Sequence, residues 1–257
     1  MQKLTSKDGT KIAFEKSGEG PALIIIGGSL ADHQLYVPLA NELAKHFTVY
    51  NFDRRGRGQS GNTEPYAVER EVEDVATLID FAKEPVLIYG HSAGSALALR
   101  TAAAGLDIVK LALADPPFTP AGENDEAAIA EHAAQAAHIQ ELNDQGDFKG
   151  SVRFFLSGYG LPDEDLEAML QSPGGESMID YARTLPYDYA MLGNGLVPAE
   201  LVSRVKALTI VLAPEAMPET AQSLINAMPN ARFQPMEAPT HEVPADVLGR
   251  VLKEFFR

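Results

Sequence analysis

The stretch Leu87-Ile88-Tyr89-Gly90-His91-Ser92-Ala93-Gly94 constrains this chain more than any other. An apolar run, Pro85 to Tyr89, ends abruptly in Gly-x-Ser-x-Gly, and an Ala/Leu-rich helical pattern from Ser95 to Ala104 begins at once. In a strand–turn–helix junction of this kind the turn forces the central serine into a strained backbone conformation and lifts its hydroxyl above the sheet. The residues two before and two after must be small, because the strand and helix backbones nearly touch there. Gly90 and Gly94 meet that need. The plain alternative is a structural serine in a glycine-rich turn. A bare Gly-x-Ser-x-Gly recurs by chance, but one flanked by a buried strand and an uninterrupted helix seldom does.

The 257 residues suit one sizeable domain, or a domain carrying an insertion. Thirty-six acidic against 21 basic side chains leave a formal charge of −15. That argues against nucleic acid and anionic membrane surfaces as partners, since both demand a basic face. The absence of cysteine excludes disulfides, thiolate metal sites and cysteine nucleophiles. Met1 to Thr10 is polar, without the apolar stretch of a secretory signal, and no apolar run reaches the length of a membrane span. The expectation is a soluble, cytoplasmic protein.

Residues 3–17 hold two short strand patterns joined at Asp8-Gly9, a hairpin signal. Ala22 to Ile26 is a continuous apolar run of the kind buried on both faces of a parallel sheet. It ends in Gly27-Gly28-Ser29, after which Tyr36, Leu39, Leu43 and Phe47 fall on one helical face. Phe47 to Phe52 reads as the next strand and runs into Asp53-Arg54-Arg55-Gly56-Arg57-Gly58-Gln59-Ser60. Val68, Val72, Val75, Ile79 and Ala82 recur at spacings of four and three, predicting an amphipathic helix over 66–83. Lys110 to Ala114 closes on Asp115-Pro116-Pro117. After Phe118 the alternation breaks: residues 119–200 show helical patterns and no convincing strand. They carry 15 acidic and 3 basic side chains, a local charge of −12. The alternation resumes with strands at Leu208–Ala213 and Ala231–Met236, a helix near Glu219–Met228, and a last helix with Val247, Leu248, Val251, Leu252, Phe255 and Phe256 on one stripe. Strands alternating with helices imply an α/β class with a mostly parallel sheet.

Several of these features together resemble the α/β-hydrolase superfamily over nearly the whole chain: Gly27-Gly28 after the third strand, Asp53-x-Arg55-Gly56-x-Gly58-x-Ser60 after the fourth, Gly90-His91-Ser92-Ala93-Gly94, and a late His241. The wording Tyr50-Asn51-Phe52-Asp53-Arg54-Arg55-Gly56-Arg57-Gly58 looks like a subgroup of small bacterial hydrolases. The resemblance implies an eight-stranded, mostly parallel sheet flanked by helices. It divides the chain into a core, 1–118 and 206–257, and an inserted helical cap, 119–205.

It also implies the roles at the site. Ser92 stands as nucleophile, and a serine hydroxyl needs a base within reach. His241, on a loop between the final strand and the last helix, holds the base position, so that serine, acid and histidine follow in the family's order. The backbone N–H groups of Ser29 and Ala93 are the expected oxyanion-hole donors. Many relatives carry His-Gly where this chain has Gly27-Gly28. The acid usually follows the seventh strand, where this chain reads Pro214-Glu215-Ala216-Met217-Pro218, and a thioether at Met217 cannot orient an imidazole. Two replacements are open: Asp115, at the end of the sixth strand as in some haloalkane dehalogenases, and Glu215. Asp115, held rigidly before two prolines, is favoured. His33 is assigned a surface role or a place in the pocket wall, and His46 the end of a helix. His132 and His138 sit six apart, matching neither one helix face nor a metal pair. The charges of Asp53, Arg54, Arg55 and Arg57 are expected to pair with one another. Met178, Tyr181, Tyr187, Tyr189 and Met191 are expected either to line an apolar pocket or to form the core of the inserted segment. With no metal-ligand spacing, phosphate loop or dinucleotide fingerprint, no metal and no other cofactor is implied.

These readings converge on a serine hydrolase of a small neutral ester or related acyl compound. The same machinery also serves perhydrolase (haloperoxidase-like) and carbon–carbon bond hydrolase chemistry, and a non-catalytic binding protein on this fold is a third reading.

Overall fold

The computed structural model describes residues 1–122, 124–215, 218–241 and 243–257. Strands β1 (Gln2–Thr5) and β2 (Lys11–Ser17) form the antiparallel hairpin predicted across Asp8-Gly9, with Gly9 in the left-handed region at φ +92°. The remaining strands are β3 (Ala22–Ile26), β4 (Thr48–Phe52), β5 (Val86–His91), β6 (Ile108–Ala114), β7 (Leu208–Pro214) and β8 (Ala231–Met236). They complete one eight-stranded sheet of order β1-β2-β4-β3-β5-β6-β7-β8. β2 meets β4 antiparallel, and every pairing from β4 to β8 is parallel. The mostly parallel eight-stranded α/β sheet is as expected.

Parallel neighbours need a crossover, and here helices supply it. Helix α1 (Val37–Leu43) joins β3 to β4, α2 (Val68–Ala82) joins β4 to β5, and α3 (Ala93–Ala103) joins β5 to β6. The apolar positions along each central strand feed two cores, because successive side chains face opposite sides of the sheet. Ile24, Ile26 and Ile88 pack in one with Leu97, Leu99 and Leu111; Leu23, Ile25 and Tyr89 pack in the other with Leu43, Leu248 and Phe256. Phe47 precedes β4 and is buried in this second core, one turn beyond the end of α1. Helix α2 buries Val75, Leu78 and Ile79 as its periodicity predicts, but also Glu71 and Asp74.

Between β6 and its neighbour β7 the chain makes a helical excursion: α4 (Asp125–Asp144), α5 (Phe148–Ser157), α6 (Asp163–Leu170), α7 (Pro173–Tyr181), α8 (Leu185–Leu192) and α9 (Ala199–Val202). A single isolated bridge, Thr119 to Leu196, ties its two ends together, the only extended pairing among the described residues of this segment. Ile139, Val152, Leu170 and Leu185 form a small core of their own, which Leu30 from the loop after β3 joins. Met191 belongs to the main core, and Arg100 of α3 donates to its carbonyl at 2.7 Å. The excursion thus closes over the C-terminal ends of β3, β5 and β6, where crevices form in open α/β sheets. Helix α10 (Pro218–Ala227) and the terminal α11 (Ala245–Phe256) complete the fold. Among the described residues no helix is long and apolar enough to cross a membrane.

Candidate active site

Ser92 stands between β5 and α3 with φ 52° and ψ −125°, a conformation that non-glycine residues rarely adopt. Its N–H is anchored to the Ala114 carbonyl at 2.8 Å, so the strain is held by the neighbouring strand. The small flanking residues are required by backbone proximity. A Cβ on Gly90 would lie 2.6 Å from the Gly94 carbonyl oxygen, and one on Gly94 would lie 2.3 Å from that of Ile26. Ala93 opens α3, with its N–H at the positive end of the helix dipole. Ser29 lines the same cavity as Ser92 and Ala93, and a Cβ on the preceding Gly28 would stand 3.1 Å from Ser92 Cβ.

Asp115 occupies the end of β6 with φ 45° and is buried. Its N–H donates to Leu212 on β7 at 2.8 Å, and its Oδ2 accepts from the Thr240 N–H at 2.7 Å and from the Thr240 hydroxyl. The same Oδ2 lies 3.6 Å from His241 Nδ1, an ion-pair separation just beyond hydrogen-bond length. Burial by itself would raise the Asp115 carboxyl. Interactions with His241, with Thr240 and with His91 outweigh it and hold the group below its ordinary value. Glu215 is exposed at the end of β7 and has no hydrogen bond or ion pair to His241 among the described residues. Met217, the residue at the usual acid position, lies outside the described residues.

The His241 side chain is half exposed, and its ring centroid lies 4.0 Å from that of His91. Among the described residues no hydrogen bond joins Ser92 Oγ to His241; Tyr159 lines the same cavity as Ser92. Tyr159 is exposed as a whole residue, while its hydroxyl lies in a buried environment. Burial of that hydroxyl and the negative charges of Asp188 and Asp115 push its pKa up, against the contact with Ser92.

His91 is buried beneath His241. Its Nδ1 lies 2.8 Å from the Tyr36 hydroxyl, which itself accepts the Gly28 N–H at 2.8 Å. Burial pushes Tyr36 up to about 12, so its hydroxyl stays protonated and needs an acceptor. We therefore assign His91 the tautomer that accepts at Nδ1 and carries its proton on Nε2. Burial first, and then the charge of His241, drive His91 down to about 3 against the opposing pull of Asp115. His91 Nε2 and Asp115 Oδ1 are both buried without a hydrogen-bond partner. Tyr36 also explains Gly27: a Cβ there would lie 2.7 Å from the Tyr36 ring. The loop is anchored by a tyrosine from the following turn.

The arginine cluster departs from expectation. Arg54, Arg55 and Arg57 are buried and pair with partners elsewhere rather than within their own loop. Arg54 grips Glu71 through Nε and Nη2 at 2.7 and 2.9 Å, and its Nη1 reaches Asp188 at 2.8 Å. Arg55 grips Asp74 at 2.7 and 2.8 Å. Arg57 Nη2 donates to both oxygens of Asp188 at 2.8 Å. Asp53 takes up His33, whose N–H and Nδ1 lie 2.8 and 2.7 Å from its Oδ1. His33 is buried there, neither on the surface nor in the cavity wall. His46 is exposed beside the terminal Arg257.

Over Ser92 lies a cavity of about 320 Å³. Its walls include Tyr159, Asp188 and Tyr189 from the excursion, with Glu131, His132 and Gln135 along α4. Of the residues expected to line a pocket, Tyr189 does so. Met191 is core, Met178 and Tyr181 pack in the excursion, and Tyr187 stacks on Tyr66 at 3.8 Å. Among the described residues two clusters have metal-binding donor types: His91, Asp115 and His241, and Asp32, His33 and Asp53. The first would suit zinc by donor chemistry; the hydrogen bonds from Tyr181 to Asp32 and from His33 to Asp53 account for the second.

Sequence reasoning missed Tyr36, Tyr159 and Asp188. Tyr159, flanked by Gly158 and Gly160, carried a local loop signal, whereas Asp188 lies 131 residues from the arginine it meets and carried none.

A profile of the Alpha/beta hydrolase family matches residues 23–250. The crystal structure of an alpha/beta hydrolase from Sphaerobacter thermophilus DSM 20745 superposes with a TM-score of 0.87 at 39% identity, covering 100% of both chains. An enol-lactonase from Burkholderia xenovorans LB400 shares the fold, with a TM-score of 0.70 at 20% identity over 99% of each chain. The hydrolase YraK of Bacillus subtilis (strain 168) is 30% identical over 95 residues, which span 35% of this chain and 35% of its own length. With a family match across most of its length, the chain belongs to the alpha/beta hydrolase family.

Proposed function

We propose that the protein is a serine hydrolase that cleaves a small ester or related acyl compound through an acyl-enzyme, with residues 119–205 as a cap over the core. The observation that carries this reading is Asp115 Oδ2 at 3.6 Å from His241 Nδ1, on the same edge of the sheet as the strained Ser92. In this mechanism His241 takes the Ser92 proton as Oγ attacks the carbonyl carbon, and the N–H groups of Ser29 and Ala93 receive the developing oxyanion. The carbon–oxygen bond to the leaving group breaks, and His241 returns the proton to the departing alcohol. Water then attacks the acyl-enzyme, giving a proton to His241 that passes to Ser92 Oγ as the acid leaves. Asp115 keeps Nδ1 protonated and stabilises the imidazolium. Closing His241 onto Ser92 completes the array, since catalytic hydrogen bonds commonly tighten only when substrate binds.

The small cavity and its polar rim support a small substrate. The test is turnover of short-chain p-nitrophenyl esters together with labelling by a fluorophosphonate. Wild-type protein is expected to do both, and Ser92→Ala neither. Failure of the wild type in both assays would overturn the reading.

A further inference from the structure

We propose, building on the hydrolase reading above, that the cavity over Ser92 selects an acyl compound bearing a protonated amine or quaternary ammonium group, with Glu131 as counter-ion and the tyrosine rings of the wall as its bed. None of the described residues lining the cavity is a lysine or arginine. Two carboxylates line it, and they differ in kind. Asp188 is matched by Arg54 and Arg57 at 2.8 Å. Glu131, exposed at the rim, pairs with no cation among the described residues and is held by a neighbour. Gln135 Nε2 donates to Glu131 Oε1 at 3.2 Å, while Gln135 Oε1 accepts the Tyr189 hydroxyl at 3.3 Å. The three side chains form a wired patch on one wall, because Glu131 and Gln135 are four residues apart on α4 and share a face.

Aromatic faces complete the chemistry. Phe155 and Tyr159 meet edge to face at 5.6 Å on one side, and Tyr189 lies against His132 at 5.0 Å on the other. Electron-rich ring faces beside an uncompensated carboxylate are the elements of ammonium recognition. Burial pushes the Tyr189 hydroxyl up to about 12, and the charge of Asp188 adds to that rise, as it does at Tyr159. The cations between α4 and α8 are committed elsewhere: Lys149 and Arg153 to Glu167 at 2.9 and 2.6 Å, and Arg183 over the Phe148 ring. A carboxylate-bearing substrate would therefore meet Glu131 with no lysine or arginine among the described lining residues to pair with.

The test compares isosteric 4-nitrobenzyl esters of β-alanine, butyric acid and succinic acid, which place an ammonium, a methyl or a carboxylate at the same position. Acetylthiocholine against 3,3-dimethylbutyl thioacetate places the cation on the leaving group instead. In at least one series kcat/KM should favour the cationic member about tenfold over the neutral one, with the anionic ester last. Glu131→Gln should lower the cationic-to-neutral ratio about tenfold, a comparison from which the intrinsic reactivity of each ester cancels. High salt should narrow the wild-type ratio. Turnover of the neutral esters with cationic-to-neutral ratios unchanged by Glu131→Gln in both series would overturn the ammonium proposal and leave the hydrolase standing. Absence of turnover for every ester, with Ser92 unlabelled by fluorophosphonate, would overturn both.

Discussion

Replacing His91 by Asn should make the fold less sensitive to acid. In the folded protein His91 sits at about 3, whereas an unhindered histidine titrates near 6.5. A histidine whose folded value is depressed contributes stability that is fully present above pH 6.5 and is lost as the pH falls toward 3, because only the unfolded chain takes up the proton. At pH 5 the unfolded chain is already about 1.5 pH units into that window. At about 1.4 kcal/mol per unit, wild type should lose about 2 kcal/mol there relative to pH 8 from this residue alone. The figure barely depends on the folded value, provided His91 stays neutral at pH 5. Asn at 91 keeps an oxygen near the position of Nδ1, so the Tyr36 hydroxyl retains an acceptor while the titrating ring is gone. His241 and Asp115, the charged groups facing this position, remain in both proteins. Urea denaturation of both at pH 8 and pH 5 isolates the difference. Nitrogen NMR of the His91 ring should show the tautomer protonated on Nε2 throughout. Equal acid losses in the two proteins, or a charged His91 ring at pH 5, would refute the argument.

Asp115→Asn should lower kcat on a short-chain ester by about a hundredfold or more, since it mis-sets the imidazole, while Glu215→Gln should leave it near wild type; steady-state kinetics of the pair decides between the two carboxylates. Gly94→Ala should destabilise the fold by about 1–3 kcal/mol in urea denaturation, because its methyl would be driven against the Ile26 and Gly27 carbonyl oxygens at 2.3 and 2.6 Å. Asp188→Asn should cost about 3 kcal/mol by the same measurement, since it leaves the buried Arg57 without a counter-charge and Arg54 with Glu71 alone.

The sheet was legible because its strands are local signals. Ala22–Ile26 and Val86–Tyr89 are apolar runs, and Gly90 and Gly94 announce the turn around Ser92. Asp115 was reachable for the same reason, as a carboxylate fixed at the end of a recognisable strand. What sequence could not convey were pairings across large separations. Asp53-Arg54-Arg55 reads as a self-contained charged turn, yet each arginine reaches α2 or α8 for its partner. Nothing local marks Glu71 and Asp74 as buried, because their burial depends on cations that arrive from another element. His33 was misplaced by the same logic: its environment is set by Asp53, 20 residues away.

The aromatic ring beside Gly27 has a consequence for how this loop tolerates change. Position 27 and position 36 form a matched pair. Any side chain at 27 would meet the Tyr36 ring, whose nearest carbon stands 2.7 Å from where a Cβ would be. Removing that ring alone would leave the Gly28 N–H without an acceptor and His91 Nδ1 without its donor. The two positions are therefore expected to couple rather than add in a double-mutant cycle. A side chain at 27 is expected to be tolerated only together with a change at 36.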